Sequence, residues 1–395
     1  MKILILNSSY PPNFTSGAER VVQSLAESLI ASGQEVIVVT SQPLGARSMC
    51  EHNRVRVYYL PIWNVYRPFV DRHRSVLTRA TWHMLDSYNP LMMPSLTRIL
   101  DDEKPDVVNS HNITGFSVSA FSAIASRGVP IVHTLHDQYF VCANSMMYKK
   151  GHNCNSQCVA CKILTANRRR LSRSAKLVIG VSRFILDRHR SYAAFSDVEG
   201  RVIYNSVSVP DLADSLASPR DSKKFRFGYL GRIHPSKGVR ELVSAFSREN
   251  FGDAELWIAG VGDSEYIEKL KRESSSDENV LWLGHVVATK FLRDIDVLVV
   301  PSLWNDTAPL VVQEAFAHGI PVVGAKRGGI SELVQPGIGW LYEPGNPNEL
   351  QWTMRAAYEA SSRIDSIARN ARQFALKFSR QRMIEQYLDA YADVV

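Results

Sequence analysis

Short apolar runs alternate with stretches that are apolar on one face along nearly the whole chain. In the first half the runs are Lys2–Leu6, Val36–Thr40, Asp106–Ser110, Val129–Thr134, Lys176–Val181 and Val202–Tyr204. In the second they are Phe225–Leu230, Ala254–Ala259, Val280–Leu283, Val297–Val300, Pro321–Gly324 and Gly339–Tyr342. Runs this short and continuous predict strands buried on both faces, hence parallel sheets covered by helices. The first helix shows the pattern. Ser16 and Glu19 have capping-box spacing, Val21, Leu25 and Leu29 share a face, and Gly33 supplies the stop. The polar stretch Ser206–Lys224, with Pro210 and Pro219, interrupts the alternation, which restarts beyond it. The expectation is an α/β chain of two doubly wound, Rossmann-like domains, 1–205 and 206–378, facing each other across a cleft. Ligand is expected at the carboxyl ends of their strands. Residues 379–395 read as an amphipathic helix that packs back on the first domain.

Composition agrees with two packed cores. The chain has 395 residues, 45% of them hydrophobic and 22% charged, which excludes a disordered chain. The apolar run at the N-terminus stops at Asn7, too short for a signal peptide, and no run is long enough to span a bilayer. A soluble, cytoplasmic protein is expected. Charge is uneven: residues 1–205 carry 24 Lys and Arg against 14 Asp and Glu, while the remainder is slightly acidic. A basic half suits anionic lipid, nucleic acid or a phosphorylated substrate, and equally a plain solvated face. No recognisable nucleic-acid module accompanies it, so no nucleic-acid partner is expected. Arg67, Phe69, Val70, Leu77, Arg79 and Trp82 mix cations with apolar groups, and Arg168-Arg169-Arg170 adds a second concentration. Such a mixture suits a peripheral position on an anionic membrane surface or a lipid-linked acceptor, and suits an ordinary helix face as well.

Three clusters with chemical potential follow predicted strands. Gly17 sits at a helix start, where bare amides favour a phosphate oxygen, although glycine in such a loop is commonly just a turn. In Gly231-Arg232-Ile233-His234-Pro235-Ser236-Lys237-Gly238, two cations five residues apart can converge on one diphosphate, Arg232 as a fork and Lys237 as a point charge. Such charges stabilise a departing nucleoside diphosphate without a metal. The third cluster runs from Pro301 to Ala315. Asp306 lies in its loop, and a helix opening near Pro309 carries Leu310, Val311 and Glu314. A carboxylate can accept two vicinal hydroxyls, and the amides of Leu310 and Val311 can approach phosphate. Asp306 can alternatively cap the helix.

These clusters resemble glycosyltransferase family 4, retaining nucleotide-sugar enzymes of the GT-B fold, and the resemblance covers nearly the whole chain. It implies that Arg232 and Lys237 hold the donor diphosphate and that Gly17 is the family's early glycine. Glu314 matches the second Glu of the Glu-x7-Glu signature, which holds ribose. The first Glu, placed against the donor sugar, falls on Asp306, a departure with a reach one methylene shorter. Val202-Ile203-Tyr204-Asn205, Ala259-Gly260-Val261-Gly262 and Gly328-Gly329-Ile330-Ser331-Glu332 are also family-like, although Ser206 stands where a glycine is usual. His136 matches the family's histidine by the donor sugar, with His133 as a fallback, and His111 is assigned to the acceptor side. The resemblance implies transfer with retention from a UDP-, GDP- or ADP-sugar to a glycan, lipid-linked or small-molecule acceptor, with no catalytic metal. An epimerase on the same fold and a non-catalytic binding subunit are the competing readings.

Cys142, Cys154, Cys158 and Cys161 form a C-x11-C-x3-C-x2-C pattern, and the short final spacings fit a structural zinc site. His152 competes as a ligand, and unlinked reduced thiols are the alternative. Cys50 stands apart, and Asp294-Ile295-Asp296 is too common a pattern to imply a metal-bound diphosphate.

Overall fold

The computed structural model describes residues 1–12, 17–42, 47–66, 75–210, 224–346 and 348–395. They form two compact units. One comprises Met1–Met147, Cys154–Asn205 and Gln381–Val395; the other comprises Tyr148–Asn153 and Ser206–Arg380.

The first unit is built on β1 (Lys2–Leu6), β2 (Glu35–Gln42), β3 (Ser48–His52), β4 (Val55–Pro61), β5 (Val107–Ser110), β6 (Ile131–Leu135), and further on by two more strands. A short hairpin, β7 (Tyr148–Lys149) and β8 (His152–Asn153), precedes these last two, β9 (Leu177–Gly180) and β10 (Glu199–Val202). The sheet order is β10-β9-β6-β5-β1-β2-β4-β3, parallel except where β3 runs antiparallel to β4 at the edge. The second unit has β11 (Arg226–Leu230), β12 (Glu255–Ala259), β13 (Val280–Gly284), β14 (Val297–Val300), β15 (Val322–Ala325) and β16 (Gly339–Tyr342). Its order is β13-β12-β11-β14-β15-β16, all parallel. Strand order therefore reverses between β1 and β5 in one sheet and between β11 and β14 in the other. Loops leaving neighbouring strands at such a point diverge to opposite faces and open a crevice, where doubly wound sheets bind ligands.

The runs that predicted β1, β5 and β14 are fully or almost fully buried, as strands covered on both faces require. The helix Arg380–Ala392 belongs to the core of the first unit. Met383, Ile384, Tyr387 and Tyr391 pack with Ile3, Ile5 and Val132. The Tyr391 hydroxyl donates to Asn109 Oδ1 at 2.7 Å, and the Tyr387 hydroxyl is hydrogen-bonded to Thr134. Asn109 Nδ2 in turn donates to the Val132 carbonyl, so this buried amide is satisfied on both ends.

One buried ion pair fastens the helices outside the sheet. Arg168, in the helix Ala166–Leu171, meets Asp86 of the helix Val76–Ser87 at 2.7 Å, both side chains fully buried. The Gly115 amide donates to the same carboxylate, and the Arg168 guanidinium lies 3.8 Å from the Tyr139 ring centroid. Desolvation pushes the Asp86 pKa up to about 6 despite these partners.

Candidate active site

The second unit brings the loops after β11 and β14 together. After β11 the Tyr229 hydroxyl donates to the Arg232 carbonyl at 2.8 Å. A single 3-10 turn, Pro235–Lys237, follows, capped by His234, whose ring accepts from the Ser236 amide. Gly238 closes the turn at φ 72°, and a Cβ there would sit 1.9 Å from the Pro301 carbonyl oxygen. Only glycine permits both the left-handed backbone and this approach to the end of β14. The Ser236 carbonyl then accepts from the amides of Leu303 and Trp304, at 2.9 and 3.3 Å, which ties the two loops side by side.

Across this seam Lys237 Nζ contacts Asp306 Oδ2 at 2.6 Å, and the ammonium lies 5.0 Å from the Trp304 ring centroid. Asp306 is buried, and its backbone carbonyl accepts from the Gly329 amide at 2.7 Å. Arg232 is exposed on the same loop as Lys237. Burial first, then the charges of Arg232 and Lys237, lower the pKa of His234, so both cations act on the same small region.

The helix after β14 spans Leu310–Ala317 and has the extended Pro309 as its N-cap, with no side-chain cap. Asp306 is therefore an ion-pair partner rather than a helix cap. Leu310 and Val311 open the helix, where backbone amides lack intrahelical acceptors. Glu314 is half-buried one turn further on. Asn153, from the β7–β8 hairpin, completes the arrangement: its Nδ2 donates to the Leu303 carbonyl at 2.7 Å, and its Oδ1 accepts from the Asn305 amide at 2.8 Å. Sequence reasoning missed Asn153, Trp304 and Tyr229. Trp304, two residues before Asp306, had a signal in its position; Asn153 lies about 150 residues from its partners and had none.

In the first unit Gly17 opens the helix Gly17–Ala31; its expected cap, Ser16, lies outside the described residues. His111 directly follows β5 and His136 directly follows β6. His111 Nδ1 and His136 Nε2 are 2.9 Å apart, both rings buried and stacked at 5.2 Å. Burial lowers His136 to about 4 and His111 well below the usual imidazole range. Burial thus disfavours charge on either ring, and a hydrogen bond joins them. His133, the fallback, lies inside β6, hydrogen-bonded to Ser110 and stacked on Phe195 at 5.4 Å, which accounts for it as core. Burial pushes the neighbouring Asp137 up to about 7, against the Tyr139 amide that donates to it at 2.8 Å.

The structure brings part of the cysteine cluster together. Among the described residues no group of three or more His, Cys, Asp or Glu side chains is arranged to hold a metal ion. Of Cys142, Cys154, Cys158 and Cys161, the first is buried and Cys158 is exposed at the start of the helix Val159–Leu164. Cys161 lies 3.9 Å from Cys142 and is also hydrogen-bonded to Cys158, and its hydrogen bond lowers the Cys142 thiol to about 6. Asp296 is also structural, since it accepts from the Arg226 amide at 2.8 Å.

Comparison with known proteins agrees with this architecture. Residues 15–209 match the family described as Glycosyltransferase Family 4, and residues 213–374 match Glycosyl transferases group 1. A Klebsiella pneumoniae protein, described as an uncharacterized 42.6 kDa protein in the cps region, is 30% identical over 343 residues, covering 86% of this chain and 90% of its own. Sucrose-phosphate synthase from Thermosynechococcus elongatus superposes with a TM-score of 0.76 at 18% identity, over 99% of this chain and 98% of its own. Anabaena HepE in complex with UDP and glucose gives 0.71 at 19% identity, with complete coverage of both chains. The fold is GT-B, and the chain belongs to glycosyltransferase family 4. It is accordingly a glycosyltransferase of the nucleotide-sugar type.

Proposed function

We propose that this protein is a retaining, metal-independent hexosyltransferase, and that the Lys237–Asp306 pair, at the reversal point of the second sheet, marks its donor site. That pair carries the reading, because it sets a cation and a carboxylate side by side on two loops that a nucleotide sugar needs for its diphosphate and its sugar. Arg232 and Lys237 neutralise the charge that develops on the leaving diphosphate, with the amides of Leu310, Val311 and Gly17 as further phosphate donors. Glu314 accepts the ribose hydroxyls. Asp306 and His136 address the donor sugar, and His111 serves the acceptor side. The acceptor oxygen bonds to the anomeric carbon as the bond to the diphosphate breaks, and the acceptor proton passes to the departing phosphate oxygen. Retention rests on the family, and with no described residue assigned as a covalent nucleophile, approach from the leaving-group face is preferred.

The Anabaena complexes with UDP and with UDP-glucose make a UDP-sugar the first donor to test, ahead of GDP- and ADP-sugars. A glycan or lipid-linked acceptor in cell-surface polysaccharide synthesis, handled at the cytoplasmic face of a membrane, completes the reading. Among the described residues no helix is long and apolar enough to cross a membrane. The test is donor hydrolysis and transfer across nucleotide sugars, with and without EDTA, for wild type, Arg232→Ala and Lys237→Ala. Each variant is expected to lose roughly a hundredfold in turnover with its fold intact. Unchanged rates in both, or an absolute need for Mg²⁺ or Mn²⁺, would overturn the assignment.

A further inference from the structure

Five exposed large hydrophobic side chains lie on two neighbouring helices of the first unit, Val76–Ser87 and Val159–Leu164. On the longer helix Val76, Ala80 and Met84 follow at four-residue spacing with Leu77 beside them. Val76 is 84% exposed and Leu77 76%, while Trp82 and Asp86 on the opposite side are buried. The shorter helix repeats the pattern, with Val159 and Ile163 exposed. The longer helix packs against both Val159–Leu164 and Ala166–Leu171, and the buried Asp86–Arg168 pair bolts it to the latter. The two apolar stripes thus belong to one rigid platform.

The charges around them have one sign. Between Gln138 and Leu186 the sequence has no acidic residue, and between Ser75 and Leu100 the single one is Asp86, which is buried. Arg79, Lys162 and Arg170 are exposed on the platform helices. Apolar stripes flanked by cations, with no exposed carboxylate among the described residues of these two stretches, fit lipid headgroups of negative charge: the aliphatic groups enter the interface while Arg and Lys reach phosphate. A second copy of this chain would set the same cations against each other, which like-charge repulsion disfavours.

We infer that this face of the first unit docks on a membrane surface rich in anionic lipid. The inference deepens the reading of a transferase at the membrane and rests on it. The test is co-flotation of the purified full chain with vesicles of phosphatidylcholine alone or mixed with phosphatidylglycerol, at low and high salt. Two double variants accompany it, Arg79→Glu with Arg170→Glu and Leu77→Ser with Ile163→Ser. Wild type is expected on the anionic vesicles, released by salt. The charge variant is expected to lose about fivefold or more in partitioning for each cation reversed, and the apolar variant to lose binding to the anionic vesicles as well. Nucleotide binding in solution should persist in both, which separates lost docking from lost folding. Equal partitioning of wild type onto both vesicle types, undiminished binding of the variants, or a dimer that the same substitutions dissolve would overturn the proposal. Failure of vesicle binding with nucleotide binding intact would leave the transferase reading standing; failure of wild type to bind any nucleotide would remove that reading alone.

Discussion

Replacing Asp306 by Asn tests the donor site most directly, because it removes one charge and almost no volume. In the structure the carboxylate neutralises Lys237 at 2.6 Å, with side-chain exposures of 9% and 27%. At an effective dielectric of 20 the gross attraction at this distance is about 6 kcal/mol, most of it cancelled by desolvation. A hydrogen bond to a charged group contributes a net of about 1.5–3 kcal/mol. A diphosphate arriving at Lys237 must compete with this carboxylate. If half of the net interaction returns to the ligand, Asp306→Asn tightens nucleoside-diphosphate binding by about threefold to tenfold. Transfer should fall strongly at the same time, since the anionic acceptor against the donor sugar is gone. The fold should hardly respond, because the backbone bonds of Asp306 with Trp304 and Gly329 are untouched. Calorimetry with UDP, run beside initial rates, measures both effects. Weaker nucleotide binding with an unchanged rate would refute the reasoning and leave the pair a purely structural contact.

Glu314→Ala should weaken nucleotide binding itself, by about tenfold if one ribose hydroxyl loses its charged acceptor, measured by the same calorimetry. Asn153→Ala removes two hydrogen bonds from the loop that carries Asp306; turnover should fall several-fold with little change in nucleotide affinity, and kinetics with saturating donor would reveal it. Asp86→Ala strands Arg168 in the core and should cost about 3–5 kcal/mol, visible as a large drop in the urea midpoint. Asp137 ionises near pH 7 when folded but near 4 when unfolded, so folding takes up a proton between these values and stability falls as pH rises through them. Asp137→Asn should therefore gain most over wild type at pH 8 and least at pH 4, read from paired melting curves.

Most strands were legible because burial on both faces leaves an unbroken apolar run, as in Val297–Val300. The edge strand Ser48–His52 is largely exposed and carries no such signal, and its partner Val55–Pro61 opens with an alternating pattern that did not register as a run. Arg232, Lys237 and Asp306 could be singled out because cations and carboxylates directly after buried strands have few structural reasons to be there. Their mutual pairing could not, since it depends on the order in which strands join the sheet. The same limit hid the contact between His111 and His136, which lie on loops from neighbouring strands. The cysteine spacing shows that thiols can reach one another, as Cys161 reaches Cys142, but not which way a buried turn and an exposed helix start direct the others.

The interrupted course of the first unit bears on how the chain comes into being. Tyr391 completes a hydrogen bond to a residue 282 positions earlier, and the helix around it covers strands that leave the ribosome long before. At synthesis rates of about 5–20 residues per second, the intervening 206–380 segment takes on the order of ten to thirty-five seconds to appear. Throughout that interval the sheet of the first unit lacks part of its apolar cover and the Asn109 amide lacks one partner. The second unit, whose early hairpin is already made, has every strand it needs once residue 380 emerges. The half translated last can thus complete its sheet as it emerges, while the half translated first receives its closing helix only at the end and shows uncovered apolar surface to chaperones and to aggregation until then.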